Sequence, residues 1–247
     1  MTTSLGWDEI FDAHKSGWDS VLPFLGVAQA LAAEASVVVE VGCGRGMEAD
    51  DRTGRILQDL RGPDRRVIGI DTDPAGAKNP LIDEFRLIEQ TSRWPLDDAC
   101  VDLAVSDWVL EHVDDGPAFV AELTRTLRPG GVFVARTVSR HSPLSVAARM
   151  VANDQHNRWL RVLQPKRLEQ DVFPTRYRMN TEKDLRHLLD ADFEWTVLHR
   201  VGMEQYLLRW PRVTRAVMAV EPRLPKALQM TLVVYARRRS AARSVDE

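Results

Sequence analysis

Apolar residues in this chain occur either in short continuous runs or at every third or fourth position. The runs are typical of buried strands, and the wider spacing is typical of helices packed on one side. Helical spacing is clearest at Phe119, Val120, Leu123 and Leu127, and a second helix is expected to begin near Thr181. The apolar runs predict strands at 36–41, 65–71, 85–90, 101–107, 132–138, 194–200 and 227–238.

Predicted strands and helices alternate from Ser36 to Val138. This alternation implies right-handed crossovers, and therefore parallel strands with helices on both faces of the sheet. We expect an α/β fold with a mostly parallel seven-stranded sheet whose last strand is antiparallel. In such a sheet, ligands bind beyond the carboxyl ends of the strands.

Three glycines at alternate positions, Gly42, Gly44 and Gly46, follow the first predicted strand. Glycine allows a positive φ and a close approach of the backbone to a ligand. Glu40 precedes this loop, and Asp71 ends the second strand, where a carboxylate is placed to accept hydrogen bonds from ribose hydroxyls. These features together favour a nucleoside cofactor over a turn that binds nothing.

A dinucleotide site requires G-x-G-x-x-G, and Met47 stands in place of its third glycine. The strand, Glu40 and the glycines instead resemble motif I of the class I S-adenosylmethionine-dependent methyltransferases. The resemblance continues through "VIGIDTDP", "WPLDDACVDLAVSDWVLEHV" and "ELTRTLRPGGVFV", and is strongest to the small-molecule group called type 11. It implies a Rossmann-like methyltransferase fold, S-adenosylmethionine as cofactor, and methyl transfer to a small molecule.

The same resemblance implies residues that bind the cofactor. Glu40 would orient the glycine loop or bind the ammonium group of the methionine part, and Asp71 would hold the ribose hydroxyls. Gln90 and Thr91 stand where the family often has Asp-Ala, so a neutral amide replaces the carboxylate expected near the adenine. The other expected cofactor contacts are Gly42, Gly44, Gly46, Thr72 and Ser106.

The segment "SDWVLEHVDD" contains the candidate catalytic residues. His112 is placed to act as a general base toward a hydroxyl acceptor, with Asp107 or Glu111 orienting it. Packing of His112 without proton chemistry is the alternative. The acids of this segment, which include Asp114 and Asp115, are also of the type that supplies oxygen ligands to a divalent ion. Acids before a helix are however common as N-terminal residues, and we predict no metal site.

The predicted elements divide the chain into five parts. We expect an N-terminal helical cap at 1–35, a cofactor-binding core at 36–138 and an inserted lid at 139–180. Residues 181–238 complete the same sheet, and 239–247 form a tail. The lid contains eight Arg and Lys residues against three acids. This composition suits an acceptor that is anionic, a sugar or an aromatic compound. The alternative is that these cationic side chains are simply solvated. For the second insertion, 202–226, the sequence leaves open a pocket wall, a dimer contact and a membrane-surface patch.

The overall composition limits the partners. The chain has 247 residues and a formal net charge of −3, so no general attraction to nucleic acid is expected. The longest apolar runs are too short to cross a bilayer, and the first residues show no secretory signal pattern. The two cysteines lack the spacing of metal ligands. We therefore expect a cytoplasmic protein with a small-molecule substrate, and leave a homodimer open.

The most specific prediction is methyl transfer to a hydroxyl oxygen of a sugar, lipid-linked glycan or secondary metabolite. Two alternatives remain at this level. One is a regulatory module that binds the cofactor without catalysis. The other is a nicotinamide-dependent oxidoreductase, which the glycine spacing and the lack of a Tyr-x-x-x-Lys pair disfavour.

Overall fold

A computed structural model describes residues 21–46, 56–150, 174–202 and 210–240 of the chain. Parts of the predicted cap, core, lid, second insertion and tail lie outside these ranges. A seven-stranded sheet with the order β3-β2-β1-β4-β5-β7-β6 forms the centre of the molecule. Its strands are β1 (Val37–Val41), β2 (Arg66–Asp71), β3 (Glu84–Leu87), β4 (Val101–Asp107), β5 (Leu127–Val138), β6 (Phe193–Arg200) and β7 (Thr231–Arg238).

The strand directions agree with the prediction from the sequence. Strands β1 to β5 pair in parallel, whereas β7 is antiparallel to both β5 and β6. The strand order changes direction between β1 and β4, which is the position where α/β sheets of this kind bind ligands. The predicted mostly parallel, Rossmann-like sheet is therefore confirmed.

Five α-helices lie in the described ranges. Asp115 begins α2 because its carboxylate accepts a hydrogen bond from the Ala118 amide at 2.9 Å. Thr181 likewise begins α4, with its hydroxyl accepting from the Asp184 amide at 3.0 Å. The helices are α1 (Val21–Ala33), α2 (Gly116–Thr126), α3 (Pro143–Met150), α4 (Glu182–Leu189) and α5 (Pro211–Val220).

Both faces of the sheet are covered by apolar side chains. On one face, α1 packs through Phe24 and Ala28 against strand residues that include Val38. On the other face, α2 and α4 contribute Leu123 and Leu185 to a second cluster. Burial on two sides explains why the central strands read as continuous apolar runs in the sequence.

The fifth strand begins earlier than the sequence predicts. The expectation was that "RPGG" separates α2 from a strand at 132–138, but β5 already starts at Leu127. Leu127 pairs with Val101, and Val132 pairs with Leu103, so the residues between them bulge out of the ladder. Gly130 has a φ of +83° in this bulge. Proline and glycine here distort the strand without interrupting it.

The carboxyl ends of β1, β2, β4, β5 and β6 meet at one edge of the sheet, since these strands share a direction. The connection from β6 to β7 lies at this same edge because β7 runs the opposite way. No helix in the described ranges is both long and apolar enough to span a membrane.

Candidate cofactor site

A cavity of about 320 Å³ lies at the carboxyl edge, between α1 and the ends of β1 and β4. The three predicted loop glycines and two of the predicted acids reach it. Its lining includes Phe24, Glu40, Gly42, Gly44, Gly46, Asn79, Asp107 and Trp108. Sequence reasoning therefore identified the glycine loop and the acids of this cavity.

The glycine loop requires glycine at each of its three positions. Gly42, Gly44 and Gly46 have φ values of +72°, +52° and +77°. A Cβ atom on Gly42 would lie 2.4 Å from a methyl carbon of Val109, whereas one on Gly44 would meet nothing within 4 Å. Gly44 therefore faces open space, and the loop leaves room for a ligand at this point.

The loop amides are largely paired within the protein. The amides of Gly42 and Cys43 donate to the carbonyl oxygen of Ile70 at 2.8 and 3.3 Å. The Gly44 amide donates to the carboxylate of Asp71 at 2.8 Å, and the other oxygen of that carboxylate accepts from the Asp73 amide at 2.9 Å. Asp71 thus braces the loop, and each of its oxygens keeps a second lone pair for a ligand hydroxyl.

Asn79 supports the loop from the opposite side. Its side-chain amide donates to the carbonyl oxygen of Cys43 at 2.9 Å. Its own carbonyl oxygen accepts from the Leu81 amide at 2.9 Å. The thiol of Cys43 stays protonated, because burial, with repulsion from Asp71 and Glu40, raises its pKa to about 12.

Two carboxyl groups, those of Glu40 and Asp107, line the cavity. Burial, with smaller contributions from the carboxylates of Asp59 and Asp107 and partial opposition from Arg61, raises the pKa of Glu40 to about 8. Glu40 therefore carries a proton at neutral pH when no cation lies beside it. A positively charged ligand group in this cavity would favour the ionised carboxylate.

Asp107 forms a buried ion pair with Arg136 of β5. Two parallel hydrogen bonds of 2.7 Å join the guanidinium to the carboxylate. The guanidinium carbon of Arg136 lies 5.2 Å from the ring centre of Phe24 and 5.0 Å from that of Trp108. Arg136 is only 3% exposed, so the pair is held between two aromatic rings. Both oxygens of Asp107 are thus directed to Arg136. The sequence had instead suggested that Asp107 or Glu111 orients His112.

Glu111 is a buried carboxylate that joins three segments of the chain. It accepts a hydrogen bond from the Thr137 hydroxyl at 2.6 Å, and the Asn180 amide donates to that hydroxyl at 2.7 Å. The backbone carbonyl of Glu111 accepts from the amides of Arg176 and Tyr177 at 2.6 and 3.1 Å. These contacts join the segment after β4 to β5 and to the chain before α4.

His112 is partly buried and contacts the same returning chain. Its ring nitrogen Nδ1 lies 3.1 Å from the carbonyl oxygen of Pro174. A carbonyl oxygen only accepts hydrogen bonds, so Nδ1 carries the proton in this contact and Nε2 carries the ring lone pair. His112 does not line the 320 Å³ cavity, whereas Asp107, at the end of the preceding strand β4, does.

Five predicted cofactor contacts lie outside the lining of this cavity, and one of them is Asp71, which contacts the loop from behind. Thr72, Gln90 and Thr91 are exposed, and Gln90 closes a turn by accepting from the Arg93 amide at 3.0 Å. Ser106 is 1% exposed, and its hydroxyl has no hydrogen-bond partner among the described residues. Side chains alternate along a strand, so Ser106 points to the face opposite Asp107.

The acids considered as metal ligands have separate partners. Asp115 caps α2, Asp114 lies 3.5 Å from Arg176, and Asp107 and Glu111 make the contacts given above. In the part of the chain that the structure describes, no three His, Cys, Asp or Glu side chains cluster in a way that would hold a metal ion.

Sequence reasoning missed several residues at the site, among them Phe24, Asn79 and Trp108 of the lining and Arg136, which pairs with Asp107. Arg136 had a recognisable signal, because a single charge inside the apolar run "VFVARTV" needs a buried partner. Trp108 has a φ of +58°, a conformation that its residue type does not predict. Contacts of Phe24 and Asn79 depend on how distant segments pack.

Comparison with known proteins finds relatives of the central part of this chain. Residues 39–135 match a family of methyltransferase domains. A probable S-adenosylmethionine-dependent methyltransferase of Mycolicibacterium smegmatis is 41% identical over 108 residues, which is 42% of this chain and 38% of that protein. A malonyl-[acyl-carrier protein] O-methyltransferase of Serratia marcescens is 30% identical over 124 residues, 48% of this chain and 46% of the relative. The chain thus matches less than half the length of these relatives.

Solved structures show the same fold. An S-adenosylmethionine-dependent methyltransferase from Mesorhizobium loti superposes with a TM-score of 0.54 at 19% identity, covering 90% of this chain and 100% of that one. A geranyl diphosphate C-methyltransferase from Streptomyces coelicolor gives a TM-score of 0.52 at 18% identity, covering 86% and 75%. Residues 39–135 therefore match a methyltransferase domain, and the chain shares the fold of these solved methyltransferases.

Proposed function

We propose that this protein binds S-adenosylmethionine in the cavity beside the glycine loop and transfers its methyl group to a small-molecule acceptor. The glycine loop, with Glu40 in the cavity beside it, is the observation that carries this proposal. S-adenosylmethionine brings a sulfonium and an ammonium, both positively charged, and a cation beside Glu40 favours the ionised carboxylate that attracts it. Asp71 holds the adjoining edge of the loop, where its carboxylate suits the ribose hydroxyls.

The same geometry disfavours a nicotinamide dinucleotide. A pyrophosphate binds well where loop amides are available to donate hydrogen bonds. Here the amides of Gly42, Cys43 and Gly44 already donate within the protein. A cationic cofactor does not depend on these amides.

The bound cofactor supplies the electrophilic methyl group, and the protein positions the acceptor in line with it. For the acceptor we propose a hydroxyl oxygen of a sugar, a lipid-linked glycan or a secondary metabolite. His112 is the proposed general base, since Nε2 carries the lone pair once Nδ1 donates to Pro174. Glu111 holds the chain around His112, and Asp107 acts with Arg136 on the cofactor side.

Calorimetric titration tests the cofactor assignment. We expect S-adenosylmethionine and S-adenosylhomocysteine to bind at micromolar concentration, and nicotinamide dinucleotides to give no heat of binding. Tight binding of a nicotinamide dinucleotide, or no response to either adenosyl compound, would contradict the proposal.

Transfer of a labelled methyl group tests the activity. The protein, the labelled cofactor and candidate acceptors are incubated, and the product is identified by mass. We expect His112→Ala to lower the turnover number about 100-fold while leaving cofactor affinity unchanged. Near-normal turnover would assign His112 to packing. Cofactor binding with no labelled product from any acceptor class would favour a regulatory module.

A further inference from the structure

The connection from β6 to β7 exposes an unusual combination of side chains, which we call the α5 surface. Its apolar members are Trp210, Val213, Met218, Val220 and Leu228, between 36% and 55% exposed. Its cationic members are Arg212, Arg215, Arg223 and Lys226, all exposed. Exposure of this many apolar side chains to water is unfavourable unless another molecule covers them.

The orientation of α5 turns its apolar side away from the body of the protein. Val213, Val217 and Val220 share one side of the helix because they are three or four residues apart. Val213 is 47% and Val220 is 55% exposed, whereas the polar Thr214 is 8% exposed. This is the reverse of a helix that buries its apolar stripe in its own core.

The exposed charges of this surface are all positive. The single acid between residues 210 and 230 is Glu221, which is 1% exposed. Its carboxylate accepts from the amides of Gly202 and Met230 at 3.1 to 3.2 Å. None of the four cations forms an ion pair with another described residue.

The α5 surface lies at the same edge of the sheet as the candidate cofactor site. Glu221 ties the end of α5 to the end of β6 and the start of β7. The Ser139 hydroxyl, just beyond β5, donates to the carbonyl oxygen of Ala227 at 3.1 Å. The surface is therefore fixed to the strand ends.

We propose that the α5 surface docks the protein onto an anionic lipid bilayer. A tryptophan and aliphatic side chains flanked by cations, with no exposed acid among them, are suited to the boundary between headgroups and acyl chains. A second copy of the chain fits less well, since a two-fold contact through this surface would bring the four cations of each copy together. Docking in this way would hold the carboxyl edge at the membrane surface.

Vesicle sedimentation with the full chain tests this proposal without cofactor or acceptor, so the result is independent of methyl transfer. The probes are vesicles of phosphatidylcholine alone and vesicles containing 30% phosphatidylglycerol. We expect binding to the anionic vesicles only, weakening as salt is raised. Arg212→Gln with Arg215→Gln should weaken it about 25-fold, about fivefold for each arginine. Val213→Ser with Val220→Ser should weaken it at least tenfold.

The matched controls change equivalent side chains elsewhere. Leu22→Ser with Leu87→Ser replaces exposed leucines outside the α5 surface, and Arg93→Gln with Arg186→Gln removes two exposed charges. Both should bind anionic vesicles like the unchanged protein, and circular dichroism verifies that every variant is folded. Three results would overturn the proposal. The first is no sedimentation with anionic vesicles, and the second is an equal loss of binding in the controls and the surface variants. The third is a dimer in analytical ultracentrifugation that Val213→Ser with Val220→Ser dissociates.

Discussion

Two regions at the carboxyl edge differ in how directly their sequence indicates their role. The loop from Glu40 to Gly46, with Asp71 beside it, forms a cavity wall as its motif predicts. The segment from Asp107 to His112 also follows a strand, yet its two acids bind other parts of the protein. Asp107 pairs with Arg136, and Glu111 bonds to Thr137.

This difference shows what a local motif can specify. The glycine loop depends on positive φ values that its three glycines permit, so its shape can be inferred from a few neighbouring residues. The partners of Asp107 and Glu111 come from β5 and from the chain around Asn180, far along the sequence. Acids near a predicted active site are therefore weaker evidence for catalysis than glycines are for a cofactor loop.

The largest effect should follow from breaking the Asp107–Arg136 pair. Arg136→Met leaves a carboxylate beside the cavity without its counter-ion, and we expect the free energy of unfolding to fall by about 3 kcal/mol. Urea unfolding followed by fluorescence measures this. Arg186→Met, which removes an exposed ion pair with Glu182, is the control and should cost less than about 1 kcal/mol. Equal losses would mean that the buried pair is unimportant for stability.

Glu111 provides the next test, because it separates a structural from a catalytic carboxylate. Glu111→Ala should lower the free energy of unfolding by about 2 kcal/mol, since Thr137 and Asn180 lose a buried partner. Glu111→Gln keeps an oxygen acceptor and should retain most of the stability and the methyl-transfer rate. A 100-fold lower rate in a stably folded Glu111→Gln variant would instead assign the carboxylate to proton transfer.

A smaller effect is expected on the loop side. Asp71→Ala should weaken S-adenosylmethionine binding by about 1–2 kcal/mol, because the charged acceptor for the ribose and the brace of Gly44 are lost together. Calorimetry measures the change in Kd. Asp73→Ala removes the same charge two residues away, where the carboxylate caps a short 3-10 helix, and should leave Kd nearly unchanged. Unchanged affinity for Asp71→Ala would contradict its assignment.

The last prediction concerns the pH dependence that Glu40 gives to the stability of the fold. Its pKa in the folded protein, about 8, lies above the ordinary value of 4.5, so the folded state holds a proton that the unfolded state releases. Stability should therefore fall as the pH rises from about 5 through 8. Glu40→Gln lacks this titrating proton, so its stability should fall less than that of the unchanged protein between pH 5.5 and pH 9, by up to about 3 kcal/mol. Thermal unfolding at both pH values measures the gap, and an equal gap would disprove the shift.

The fold was largely predictable because its strands are buried on both faces and its helices have clear start signals. Asp115 and Thr181 act as the caps that their positions suggest. The early start of β5 was not predictable, since Pro129 and the two glycines after it normally end an element. Within the site, Arg136 could have been suspected from its apolar surroundings. The positive φ of Trp108 and the contact of Phe24 arise from packing alone.

The internal pairing of the loop amides has a consequence for binding kinetics. Since Ile70 and Asp71 already satisfy the backbone of the glycine loop, an arriving nucleoside does not have to fold this wall. Little conformational entropy is then lost at this wall on association, and little is regained on release. Exchange of spent for fresh cofactor should therefore not be slowed by rearrangement of this loop.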